Sequence, residues 1–168
     1  MTETELKDYI AAIRPADRDA MAAARQRQAQ LAKPPGSLGA LEDMSVRLAG
    51  VTGRVCPPMN RCRVAVFAAD NGVVDEGVSC APRSVTVQQA INMTRRKTGM
   101  SAMAAAFGDD VAVVDVGMDC GTTPAGILNR RVRRSTGDIA IEDAMTRPQA
   151  LAAMAAGMEQ AALARAYN

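Results

Sequence analysis

Histidine and tryptophan are absent from all 168 residues, and there are only two phenylalanines and two tyrosines. Without imidazole, neither Ser-His-Asp nor Cys-His catalysis is open to this chain, and any general base must be a carboxylate, Lys, Tyr or Cys. Mixed Cys/His zinc sites go with it. The four cysteines, Cys56, Cys62, Cys80 and Cys120, show no CxxC spacing, so no metal site is expected. They read as reduced thiols, mostly small residues of a core. So few aromatic rings make a stacking platform for single-stranded nucleic acid improbable. No apolar run approaches the length of a membrane span, and the amino terminus "MTETELKDYI" carries acids where a secretory signal carries bases. A cytoplasmic protein with no membrane partner is the expectation. The net charge is only +2, from 20 basic and 18 acidic side chains, so no global field draws the chain to nucleic acid.

What is present is an ordinary globular composition, 48% hydrophobic and 23% charged, long enough for a real core. "TETELKDYIAAI" and "ADRDAMAAARQRQAQLA" read as helices separated by Pro15. "KPPGSLG" (33–39) stops the second, because Pro34 disfavours a helical Lys33 and the two glycines free the backbone. It reads as an interhelical connector, with phosphate binding the lesser reading because neither GxxxxGK[ST] nor GxGxxG spacing is present. The helix "LEDMSVRLAGV" places Leu41, Met44, Leu48 and Val51 on one face. "GRVCPPMNR" is then a loop.

From Val64 the pattern alternates strand and helix. "VAVFAA" is a buried strand, "SVTVQQAINMT" and "GMSAMAAAFG" are helices, and "VAVVDVGM" is a second strand. A last helix starts at Thr146 with Pro148 in its first turn. Asn71-Gly72 is a hairpin dipeptide, but no apolar run pairs straight back, so a parallel sheet covered by helices is expected. Both strands end in an acid followed by glycine, at Asp70 and Asp115. Each could be a plain turn, yet two such ends at the carboxyl edge of one sheet point to a shared ligand crevice. Asp70, Asp75, Glu76 and Asp115 are the possible bases, each with a turn or surface role as an alternative. "NRRVRR" reads as a solvated edge strand, with Arg131 and Arg133 facing one way and Arg130, Val132 and Arg134 the other.

"LAKPPGSLGALE", "VFAADNGVVDEGVS", "SVTVQQAINMT", "VAVVDVGMDC" and "IAIEDAMTRPQA", in this order, resemble the first half of the nicotinate-nucleotide:dimethylbenzimidazole phosphoribosyltransferase family. The resemblance runs from about Leu6 to the final helix. It implies an α/β fold: a Rossmann-like parallel sheet with flanking helices and a small helical subdomain, apparently truncated. Residues 1–54 would be the helical small-domain segment carrying KPPGSLG, and 55–168 the first part of the Rossmann-like domain. The implied reaction moves phosphoribose from nicotinate mononucleotide to 5,6-dimethylbenzimidazole, with no cofactor and no metal, in a homodimer. By its place in "VTVQQ", Gln89 would contact the benzimidazole, with Ala81 lining the pocket and Asp70 and Asn71 beside it.

Two departures from the family pattern stand out. Asp70-Asn71-Gly72 replaces the usual Asp-His-Gly, which keeps a polar group and removes a titratable one. The family's phosphate loop and catalytic glutamate would lie beyond Asn168, so no catalytic residue is expected in this chain. Three readings follow: a part of the phosphoribosyltransferase, a short noncatalytic relative that binds an aromatic base or a partner chain, or a basic-loop nucleic-acid binder. The exposed strand edge left by a parallel sheet divided midway favours the first.

Overall fold

The structure, a computed structural model, describes residues 1–59 and 62–165. Asn60 and Arg61 of the expected "GRVCPPMNR" loop, and residues 166–168, lie outside the described residues. The chain forms two compact units, 7–59 and 1–6 with 60–168.

The smaller unit is helical. It holds most of α1 (Glu3–Ala11), then α2 (Arg18–Gln30) and α3 (Ala40–Thr52). Asp17 caps α2 by accepting from the amides of Asp19 and Ala20, both at 2.9 Å, satisfying donors that a helix start leaves unpaired. Ala24, Val46 and Ala49 form the core between α2 and α3. Gly50 lets the helices approach closely, since a Cβ there would sit 2.6 Å from Cγ of Met21. This overturns the apolar face expected for α3. Leu41, Met44 and Val51 are exposed, and the packed face carries Val46, Ala49 and Gly50. Residues 31–39 do connect the two helices, and the Lys33–Glu42 ion pair at 2.6 Å ties the connector to the first turn of α3.

The larger unit is an α/β layer. Strand β1 (Arg63–Ala69) runs parallel to β2 (Asp110–Gly117), and β2 pairs in parallel with the short β3 (Leu128–Asn129), in the order β1-β2-β3. Helices α4 (Ser84–Thr94) and α5 (Gly99–Phe107) form the crossover, and α6 (Arg147–Ala164) closes the described chain. The parallel pairing disposes of the hairpin. Thr98 and Thr146 start α5 and α6 as capping boxes with Ser101 and Gln149, as the Thr146 start requires. Ala90, Val113, Met118 and Ile127 make the core, with Val87 and Ile91 packed on it. The outer edge of β1 carries no strand among the described residues, and Phe67 is 43% exposed there.

Two expectations fail in this unit. The basic stretch is no edge strand, because β3 ends at Asn129 and residues 130–137 are irregular. Three of its four arginines are committed to acids instead: Arg130 to Glu159, Arg131 to Asp115 and Arg134 to Asp119. Three of the four cysteines are not core residues either, since Cys56, Cys62 and Cys80 are exposed, while Cys120 is partly covered and packs against the core.

Asp115 is completely buried at the end of β2. Its Oδ1 accepts from the amides of Gly117 (3.0 Å) and Met118 (2.9 Å). Its Oδ2 accepts from the Thr123 hydroxyl (2.6 Å) and from Nε (3.0 Å) and Nη2 (2.7 Å) of Arg131. Burial pushes this carboxyl up, but Arg131, Thr123 and the Met118 amide more than reverse it, so it titrates below its usual 3.8. A depressed folded pKa stabilises above the unfolded value and is lost as pH falls through the folded one. Acid denaturation should therefore take effect below pH 3.8 for this group. Arg131→Met should move that transition to higher pH and cost about 3–5 kcal/mol, read from denaturant midpoints near neutral pH.

Glycine tolerances supply a second check. A Cβ on Gly72 would lie 2.6 Å from the Asp138 nitrogen and the Gly137 carbonyl carbon, both backbone, so nothing flexible can yield. Gly72→Ala should lower stability by about 1–3 kcal/mol. Gly157→Ala, in the middle of α6 with open space around it, should raise stability by about 0.5–1 kcal/mol, both changes being read from denaturant midpoints.

Candidate functional site

At the carboxyl end of β1 the ladder is irregular. Ala68 pairs with Asp115 but Ala69 pairs with Gly117, so Val116 is bulged out. Bulges re-aim the residues that follow them. Here Asp70 follows, with its amide on the Gly117 carbonyl at 3.1 Å and its own carbonyl taking the Thr136 amide at 3.1 Å. The chain then turns through a 3-10 segment, Gly72–Glu76, closed by Gly77 in the left-handed conformation. An open groove of about 260 Å³ lies against this turn and the start of α4.

The groove is walled mainly by apolar side chains, Val73, Val74, Val78, Pro82 and Val85, with Asp70, Asn71, Ser79, Ala81, Arg83 and Thr86 also lining it. Asp70 is 5% exposed. Its Oδ1 accepts from the Thr86 hydroxyl at 2.6 Å and its Oδ2 from the Asp119 amide at 2.7 Å. Those two bonds tie α4 and the loop after β2 to the end of β1. Arg83 spans the other side, donating to Asp75 at 2.8 Å and to Asp119 and the Gly72 carbonyl at 3.3 Å. Arg134 shares Asp119 at 2.8 Å and holds that carboxyl below its usual range, offsetting its partial desolvation.

Of the residues singled out from the sequence, Asp70, Asn71 and Ala81 line the groove. Asn71 is exposed. Gln89 is exposed on α4, one turn beyond Val85 and Thr86 on the same face, and is not among the lining residues. Asp115, at the other strand end, does not line this groove and already accepts five hydrogen bonds. A carboxylate offers about four lone-pair positions, so Asp115 has none left for a substrate proton. Arg83, Thr86 and Asp119 were not singled out. Thr86 had a signal, three residues before Gln89 on a helix, and Arg83 is a lone cation between an acidic turn and a helix start. The bond from Asp119 to Asp70 had none, since it is made by a backbone amide brought in from 49 residues away. No group of three or more metal-ligating side chains occurs among the described residues.

Comparison with known proteins agrees with this architecture. The family described as "Phosphoribosyltransferase" matches residues 13–168. The nicotinate-nucleotide–dimethylbenzimidazole phosphoribosyltransferase of Yersinia enterocolitica is 46% identical over 145 residues, covering 86% of this chain and 41% of the relative. The protein of that name from Geobacter sp. strain M21 is 41% identical over 162 residues, covering 96% and 46%. The crystal structure of the Thermus thermophilus enzyme superposes with a TM-score of 0.78 at 42% identity, covering 90% of this chain and 46% of that one. The chain thus spans less than half the length of these relatives. With nearly the whole chain matched by one family and the same fold found at this identity, the chain belongs to the phosphoribosyltransferase family.

Proposed function

We propose that these residues form the acceptor side of a phosphoribosyl transfer from nicotinate mononucleotide to 5,6-dimethylbenzimidazole, within a cytoplasmic homodimer that uses no cofactor. The observation that carries this reading is the valine-walled groove at the end of β1. At about 260 Å³ it lies just under the volumes of about 300–1,000 Å³ usual for drug-sized ligands, which suits a small bicyclic aromatic. Family membership supports the reaction class. A ring nitrogen of the acceptor forms the new bond to the ribosyl carbon as the bond to nicotinate breaks. The bonding pair passes to the nicotinate ring, which leaves without its positive charge, and the acceptor's N–H proton goes to a carboxylate. In this reading the carboxylate is a glutamate outside these 168 residues, consistent with Asp115 being saturated.

Gln89 is assigned to the acceptor's edge, one helical turn from the groove lining, with Ala81, Asp70 and Asn71 against its faces. Calorimetric titration of the chain with dimethylbenzimidazole should show saturable binding, weakened about 10-fold in Gln89→Ala, the loss of roughly one hydrogen bond. Failure of the wild-type chain to bind would overturn the groove assignment, and undiminished binding by the variant would remove Gln89 from it. Incubated with both substrates, these residues alone should release no nicotinate by chromatography. Turnover would place the proton acceptor among them.

A further inference from the structure

The two carboxylates at the strand ends are treated differently by their surroundings. Asp115 has Arg131 at 2.7 Å. Asp70 is nearly as buried, yet it is held only by a hydroxyl and an amide, and among the described residues no cation lies in ion-pair range. A buried carboxylate without a counter-charge is costly unless something compensates it. Arg83, which lines the same groove, is already taken by Asp75 and Asp119, and Arg134 is taken by Asp119. Neither arginine reaches Asp70, so its carboxylate has no ion-pair partner among the described residues. Each oxygen of Asp70 accepts a single bond, so each keeps a lone pair, and the residue lines a groove that is otherwise mostly apolar.

We propose that Asp70 is a specificity-determining residue of the groove, selecting a flat heteroaromatic ligand that carries or develops positive charge over one that is neutral or anionic. This rests on the acceptor reading and deepens it. An azole whose ring nitrogen is alkylated becomes an azolium until its N–H proton leaves, and a fixed carboxylate beside it favours that state. A phenol reacts as a phenolate, which the same carboxylate disfavours. Thr86 and the Asp119 amide act as positioning groups that keep the carboxylate from turning out to water.

The field can be read without turnover. The wild-type chain is titrated with 1,3-dimethylbenzimidazolium, a permanent cation with no N–H, and with 1,3-dimethylindole, its neutral isostere. The cation should bind at least about 10-fold more tightly, since a unit charge about 4–5 Å away gives nearly that much even in water and more in a partly buried site. Asp70→Asn should bring the ratio close to one, while Thr86→Val, which keeps the carboxylate, should preserve most of the preference. Equal affinity of the two ligands for the wild type, or an unchanged ratio in Asp70→Asn, overturns the inference and leaves the acceptor reading standing. Binding of neither ligand, together with none of dimethylbenzimidazole, overturns both. Circular dichroism establishes that each variant is folded, and where Asp70→Asn is not, the wild-type ratio alone decides.

Discussion

The buried ion pair between Asp115 and Arg131 is the constraint around which the larger unit is arranged. Two guanidinium nitrogens converge on one carboxylate oxygen, and the remaining Nη1 donors reach the carbonyls of Cys120 (2.9 Å) and Gly121 (3.3 Å). One arginine thereby fixes the end of β2, the loop that follows it and the segment after β3. A pair of this kind adds little net stability when measured against apolar replacements, but losing either partner alone strands a charge in the interior. Its contribution is to specificity of chain path. The loop it holds is the one whose Asp119 amide and carboxylate reach Asp70, Arg83 and Arg134.

Charge is therefore apportioned unequally between two superficially equivalent positions. Both strands end in aspartate, both aspartates are buried, and both accept from a threonine hydroxyl. Only one is neutralised. The saturated one is a brace with no remaining capacity for chemistry, and the other faces the groove. The β-bulge at Val116 sets this asymmetry in the backbone, because it shifts β1 one step along β2 just before Asp70.

The alternation of strand and helix, the parallel pairing and the start of α6 were legible because they rest on local signals: apolar runs of strand length, Thr146 with Gln149 three residues on, and no apolar run to close a hairpin. The α3 packing was not legible, because periodicity favours large apolar residues, whereas here close approach is made by Ala49 and Gly50 against Met21. The fate of Arg131 was hidden for a related reason. A period-2 reading treats an arginine run as a solvated strand, while the buried acid that claims Arg131 lies 16 residues earlier in the chain. Asp70, Asn71 and Ala81 could be singled out because strand ends and the turns after them are where α/β sheets place ligands. The bond from Asp119 to Asp70 could not, because a backbone amide leaves no mark on residue type.

Every residue lining the groove lies between Ala69 and Thr86, a stretch that is mostly turn and loop. Its backbone amides are engaged chiefly in short-range turn bonds, such as Val74 to Asn71 and Gly77 to Val74, with none in the β1–β2 ladder beyond Asp70. Segments of this kind open at lower free energy than the strands that carry them. In hydrogen-exchange terms the groove should be one of the softer parts of the larger unit, and β2, paired on both sides, one of the slower to exchange. A ligand that bridges its walls would slow amide exchange across the whole stretch at once, while exchange in β2 stayed where it was.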